Sequence, residues 1–175
     1  PDPFAALDGL SAVHLPHAGA VEPDELVAAL QAAYIATRPH PVAVLQYPQQ
    51  TVLATVPGIQ GPAVRVGENL RIRGTKCNST QQPVPVTGQV SWVSLDPPGS
   101  VIPTGSGTAE RDRGCVTREY LNAIPEAVAD RTLALIALGG PPCVTWQVSG
   151  RETPKNPLYL PETWTTQPFQ VCPPA

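Results

Sequence analysis

Two segments constrain the 175-residue chain more than any other feature: "CVTWQVSG", residues 143–150, and "TWTTQPFQVC", residues 163–172. Paired antiparallel with Cys143 opposite Cys172, they set Val144 against Val171, Trp146 against Phe169 and Val148 against Gln167. One register thus joins two cysteines and aligns apolar partners on the opposite face, and a slip of one residue would undo both. The pattern predicts a cross-strand disulfide, Cys143–Cys172, around the loop "RETPKNPLYLPE". Cys77 and Cys115 are then left to pair with each other. A zinc site is disfavoured, because there is no C-x₂-C pair and no histidine near any cysteine. Four buried free thiols are the alternative, since unpaired cysteine is among the most buried residue types. Two disulfides would place the protein in an oxidising compartment or on a cell or virion surface.

Proline and glycine punctuate the rest. The 23 prolines and 14 glycines break helices and central strands, whereas a hydrophobic fraction of 42% still supplies a core. From Ala63 onward the pattern alternates. Val64, Val66, Leu70 and Ile72 share one face of "VRVGENLRIRG", and Val86, Gly88, Val90 and Trp92 one face of "VPVTGQVSWVSLD". With "CVTREYL" and the two cysteine segments, these short strands predict a mainly β sandwich or barrel over 63–175. Trp92 and Trp146 fall on inward positions, and Trp164 is expected to be partly exposed. One helix interrupts the strands. Pro125 suits its first turn and Gly139-Gly140 its end, so it is placed from Pro125 to Leu138.

Residues 1–62 read differently. An extended arm, 1–21, precedes a helix from about Pro23 to Thr37, with Asp24 and Glu25 at the positive end of its dipole and Pro39 as its stop. Leu26, Leu30, Ala33 and Tyr34 recur at helical spacing and form an amphipathic face expected to dock on the following domain or on a partner subunit. Residues 40–62 read as edge strands or a Pro-rich structured linker. The longest apolar run, Leu133–Leu138, is far short of the roughly 18 residues of a membrane span. Because the sequence starts at Pro1 and contains no methionine, it is expected to be a processed product or fragment, to which an upstream signal or anchor could have belonged.

Few function classes survive this reading. With 14% charged residues and a net charge of −3, the chain lacks the basic patch of a nucleic-acid surface. His14, His17 and His40 all precede the β region, Pro16 spoils the His14/His17 spacing, and no G-x-S-x-G elbow exists. "GSGT", Gly105–Thr108, has no lysine and no strand-to-helix context for a phosphate. Asn78-Ser79-Thr80 fits the glycan acceptor rule, but reads as turn chemistry after a strand. No catalytic residue, cofactor or metal is expected. Arg111, Asp112 and Arg113 form the charged tip of a predicted loop, 96–114, and offer a contact surface. Trp164 and Tyr159 are the residues an alternative carbohydrate- or ligand-binding domain would use.

Cys77, then Trp92 on the next strand, then Cys115 resembles the immunoglobulin-like pattern of a tryptophan packed near an inter-sheet disulfide. The stretch with "TKCNS", "GQVSWVSLDPPGSVI", "GCVT" and "WQVSGRETP" is similar to Ig-like exported or virion-associated accessory proteins of phages infecting high-GC Gram-positive bacteria. That resemblance implies an Ig-like β-sandwich with one inserted helix, preceded by the arm and amphipathic helix. It implies a non-enzymatic, surface-exposed structural or interaction module bound to other subunits through the arm and helix. An enzyme fragment completed elsewhere is the further rival.

Overall fold

A computed structural model describes residues 22–37 and 40–175. The predicted arm, 1–21, lies outside these residues. The chain divides into two units, Pro1–Pro41 and Val42–Ala175. In the first, helix α1 (Pro23–Thr37) has the expected bounds, with Asp24 and Glu25 in its first turn. Its Leu26, Val27, Leu30 and Tyr34 are exposed, and Ala33 is buried.

The second unit is two β-sheets and a helix. In one sheet β4 (Asn69–Asn78) is the spine, paired along its length with β7 (Gly114–Ala123). Its other edge takes β1 (Leu45–Gln46) and β2 (Thr51–Val52) in turn. The other sheet runs β3 (Ala63–Arg65), β10 (Phe169–Cys172), β8 (Val144–Pro154), β5 (Val84–Asp96) and β6 (Pro98–Arg111), with β9 (Glu162–Thr165) beside β8. Only β3–β10 is parallel; the other strand pairs are antiparallel. The mainly β expectation holds, in a sandwich-like arrangement.

Alternation explains why these strands face each other. In β4, Leu70, Ile72 and Gly74 are buried while Asn69, Arg71 and Arg73 are exposed. Val52, Leu70 and Ile72 of the first sheet join Trp92, Val144, Trp146, Val148 and Phe169 of the second in one core. Trp92 packs edge-on against Trp146 and Phe169, at 6.2 and 5.3 Å between ring centres, the geometry that ring quadrupoles favour. Helix α2 (Glu126–Ala137) follows Pro125 closely and adds Val128 to this core. Gly139, at φ +84°, ends it, its N–H bonding to the Ile136 carbonyl. Thr132, buried on α2, accepts a hydrogen bond from Trp146 Nε1 at 2.9 Å and donates to the Val128 carbonyl.

Both expected disulfides form, Cys143–Cys172 buried and Cys77–Cys115 on an outer face. Phe169 meets Trp146 and Val171 meets Val144, as the sequence predicts. Past that point the register shifts by one. Val148 pairs with Thr166 rather than Gln167. Gln167 turns away instead: its N–H reaches the Gln50 carbonyl and its Oε1 accepts from the Val52 N–H, while Pro168 has no N–H to continue the ladder. Neither disulfide spans the two sheets. Cys77 and Cys115 sit opposite each other on neighbouring strands β4 and β7, whereas Trp92 lies in the other sheet. The immunoglobulin-like packing of a tryptophan on an inter-sheet bridge is therefore not the arrangement here.

Three further readings change. Of the two readings of residues 40–62, edge strands hold, since β1 and β2 pair with β4, and the stretch is not a linker outside the β unit, which begins at Val42 rather than Ala63. They stitch the sheets together: Gln50 exchanges backbone bonds with Thr165 and Gln167 of one sheet, and the next two residues pair with β4 of the other. The predicted loop 96–114 is mostly strand, since β6 pairs with β5 from Pro98 to Arg111. Likewise Arg151–Pro154 continue β8, which shortens the predicted 151–162 loop.

Candidate functional site

The alternation that buries Leu70, Ile72 and Gly74 carries β4 on to Lys76, and the one that buries Trp146, Val148 and Gly150 carries β8 on to Glu152. Both charged residues are thereby held on inward positions. Glu152 is 3% exposed. Arg111, at the end of β6, donates to both its oxygens, Nε reaching Oε2 at 2.6 Å. The Tyr47 hydroxyl donates to Oε2 as well. Lys76 Nζ approaches Oε1 only to 3.5 Å. Burial pushes the Glu152 carboxyl up, yet the hydrogen bonds from Arg111 and Tyr47 and the positive charges of Lys76 and Arg111 hold it below the usual carboxylate range. Burial raises the Tyr47 phenol, and its bond to Glu152 raises it further. The Lys76 ammonium moves the other way: burial lowers it, Arg111 and Arg118 add to the depression, and Glu152 opposes them.

Lys76 also faces aromatic rings. Its Nζ lies 5.3 Å from the ring centre of Trp164, 5.5 Å from Tyr120 and 6.0 Å from Tyr47, within cation–π reach. Trp164 lies so close to Gly150 that a Cβ there would clash with its ring, and the Gln50 side chain lies closer still to Gly74. Two glycines on inward positions, one in each sheet, thus make room for side chains lining a cavity of about 360 Å³. Its walls include Trp92, Trp164, Tyr120 and Val148, with polar groups from Lys76, Gln50, Thr104 and Asn122. A pocket of about 200 Å³ adjoins it at Lys76 and Tyr120, lined also by Arg111 and Arg118. A concave, largely apolar space with a few convergent polar groups is the build of a small-ligand site.

Sequence-predicted contact residues are distributed differently from expectation. Trp164 is half-buried and lines the cavity, but Tyr159 belongs to a separate cluster with Val44, Leu45, Val84 and Val86. Arg111 is bound to buried Glu152, Asp112 pairs with Arg118 at 2.7 Å, and Arg113 is exposed, so the three do not form one solvated tip. Asn78 is buried: its Nδ2 donates to the Gln82 and Arg111 carbonyls and its Oδ1 accepts from Thr80. The triplet is turn chemistry, and the nitrogen a glycan would occupy is engaged. Sequence reasoning missed Lys76, Glu152, Tyr47 and Gln50. The signal for the first two was their phase in strands already recognised. Tyr47 and Gln50 had none, because they arrive from a segment whose pairing is long-range.

No family model matches the chain, and no curated protein matches it. Solved structures that superpose on it include the Pseudomonas fluorescens alkylpurine DNA glycosylase AlkC bound to DNA containing an abasic site analog. It is 9% identical, with a TM-score of 0.40, and the match covers 74% of this chain and 31% of that one. The solution structure of AT1g01470 from Arabidopsis thaliana is 9% identical with a TM-score of 0.42, over 78% of this chain and 85% of that one. The sporulation control protein Spo0M of Bacillus subtilis is 9% identical with a TM-score of 0.39, over 77% and 51%. At that similarity none carries a functional argument. Both disulfides are compatible with an oxidising environment, and among the described residues no helix is long and apolar enough to cross a membrane.

Proposed function

We propose that this protein is a non-enzymatic binding module, working outside the cytoplasm or on a cell or virion surface, that takes a small organic ligand between its two sheets. The observation that supports it is the cavity of about 360 Å³ walled by Trp92, Trp164 and Tyr120 around Lys76, a size in the range of small-ligand sites. A fragment screen read by NMR tests it. Bound fragments should shift the Trp164 indole N–H together with the backbone signals of Lys76, Gly105 and Asn122. A screen without a saturable shift at those positions overturns the reading.

A second reading rests on α1, whose Leu26, Val27 and Leu30 are 42%, 51% and 39% exposed. In it the helix docks on another protein subunit, as in the virion- or envelope-associated module that the sequence resemblance implies. Replacing Leu26 and Leu30 together by Asp should then abolish assembly with that subunit while leaving the β unit folded. Assembly that survives the double substitution removes this reading.

A further inference from the structure

We propose that the ligand of the inter-sheet cavity is a small organic monoanion, a carboxylate on an apolar body, bound with its charge against Lys76 and its body against Trp164 and Tyr120. The inference rests on the cavity reading above and adds the ligand's chemical class. Its basis is a buried lysine without a close oxygen acceptor. Glu152 brings one negative charge, and Arg111 meets it with a two-pronged guanidinium contact. The Tyr47 hydroxyl takes a further acceptor position on Oε2. Lys76 is left with one contact, at 3.5 Å, to a carboxylate already compensated by another cation. Its side chain is only 16% exposed, so bulk water screens it poorly. Arg118 is near enough to add to the same positive field, although its own partner is Asp112.

The aromatic faces of Trp164, Tyr120 and Tyr47 hold the ammonium but accept none of its N–H bonds as an oxygen would. A carboxylate entering the cavity supplies that acceptor. The same rings exclude the opposite class. A cationic ligand would need the aromatic faces that Lys76 already covers, and it would meet a like charge. Apolar walls fix the rest of the ligand. Trp92, Val148 and Trp164 offer surface to an aryl or alkyl body, whereas a polyanion would carry charge into walls that cannot solvate it.

The test uses the full chain and three probes of one shape: 3-phenylpropanoate, its neutral amide 3-phenylpropanamide, and 3-phenylpropylammonium. Binding is read by calorimetry and by tryptophan fluorescence. The carboxylate should bind about tenfold or more tighter than the amide, the worth of one charge-assisted hydrogen bond, and the ammonium should not bind. Lys76→Met should bring the carboxylate down to the affinity of the amide, and Lys76→Arg should keep the preference. The ratio in the unsubstituted protein decides the matter even if neither variant folds. Equal affinity for acid and amide overturns the anion while leaving the cavity a binding site. If none of the three binds and the fluorescence is unmoved, the cavity reading falls and this inference with it.

Discussion

Glu152 is the residue on which the site's order depends most. Its carboxylate is buried and holds Arg111, Tyr47 and Lys76 from three other segments. Glu152→Gln keeps the shape but leaves Arg111 and Lys76 without a counter-charge, which should cost about 3–5 kcal/mol in urea unfolding, as breaking buried pairs does. A loss below about 1 kcal/mol, the scale of an exposed pair, would show that the cluster is solvated. The pH dependence has a definite sign. Glu152's folded pKa is held below its unfolded value, so the folded state binds fewer protons. Its contribution is complete above about pH 4.3, the ordinary Glu value, and is lost as pH falls through the lower folded value. The wild-type stability should therefore drop more steeply in acid than that of Glu152→Gln. Gly150 is the second sensitive residue. A methyl group there would clash with the Trp164 ring, so Gly150→Ala should cost about 1–3 kcal/mol by overpacking. It should also red-shift tryptophan emission as Trp164 swings outward; an unchanged spectrum would mean the ring is not seated on Gly150.

Helix α2 is held to the sheet by an interaction that can be tested one atom at a time. Thr132→Val removes the acceptor of the buried Trp146 indole N–H and should cost about 1–3 kcal/mol, the penalty of an unsatisfied buried donor. Thr132→Ser, which keeps the hydroxyl, should recover most of that loss. If valine and serine behave alike in thermal unfolding, the bond contributes nothing. At this scale the sequence was informative where structure is local. The bounds of α1, the turn glycine after α2 and the register of Val144 and Trp146 with Val171 and Phe169 follow from short-range punctuation and period-two burial. Strand β6 was illegible for the converse reason. Its Thr104–Thr108 stretch is small and polar, two prolines interrupt it, and pairing with β5 rather than its own residues makes it a strand. Lys76 and Glu152 stood between these extremes. Their inward phase was readable, but their partnership joins β4 to β8 across the sandwich, and no spacing in the sequence encodes that.

At the scale of the molecule, every strand pair and both core clusters among the described residues fall within Val42–Ala175. A chain starting at Val42 should therefore fold by itself, with a cooperative thermal transition of its own. A chain starting at Ala63 should not, because it loses the residues that tie the sheets together through Gln50 and β2. The two disulfides should respond unequally to reductant. Their sequence separations of 38 and 29 residues give nearly equal chain-entropy contributions, about 3.9 and 3.6 kcal/mol. Access then decides. Cys115 is exposed, while Cys143 and Cys172 are 4% and 1% exposed, so timed alkylation after mild reduction should label the Cys77–Cys115 pair first. Labelling in the reverse order would mean that the sheet holding β10 opens before thiol attack.

The position of β10 also bears on how the chain comes to be folded during its synthesis. Among the described strands it is made after the other nine, yet it lies between β3 and β8 and carries Phe169 into the core. Until it emerges, β3 has no neighbour, Cys143 has no partner, Trp92 lacks the Phe169 ring and Trp146 its cross-strand partner. A ribosome-bound chain is thus kept from closing this sandwich prematurely. It stays open until β10 has been made, and only then can the sheet and its core close.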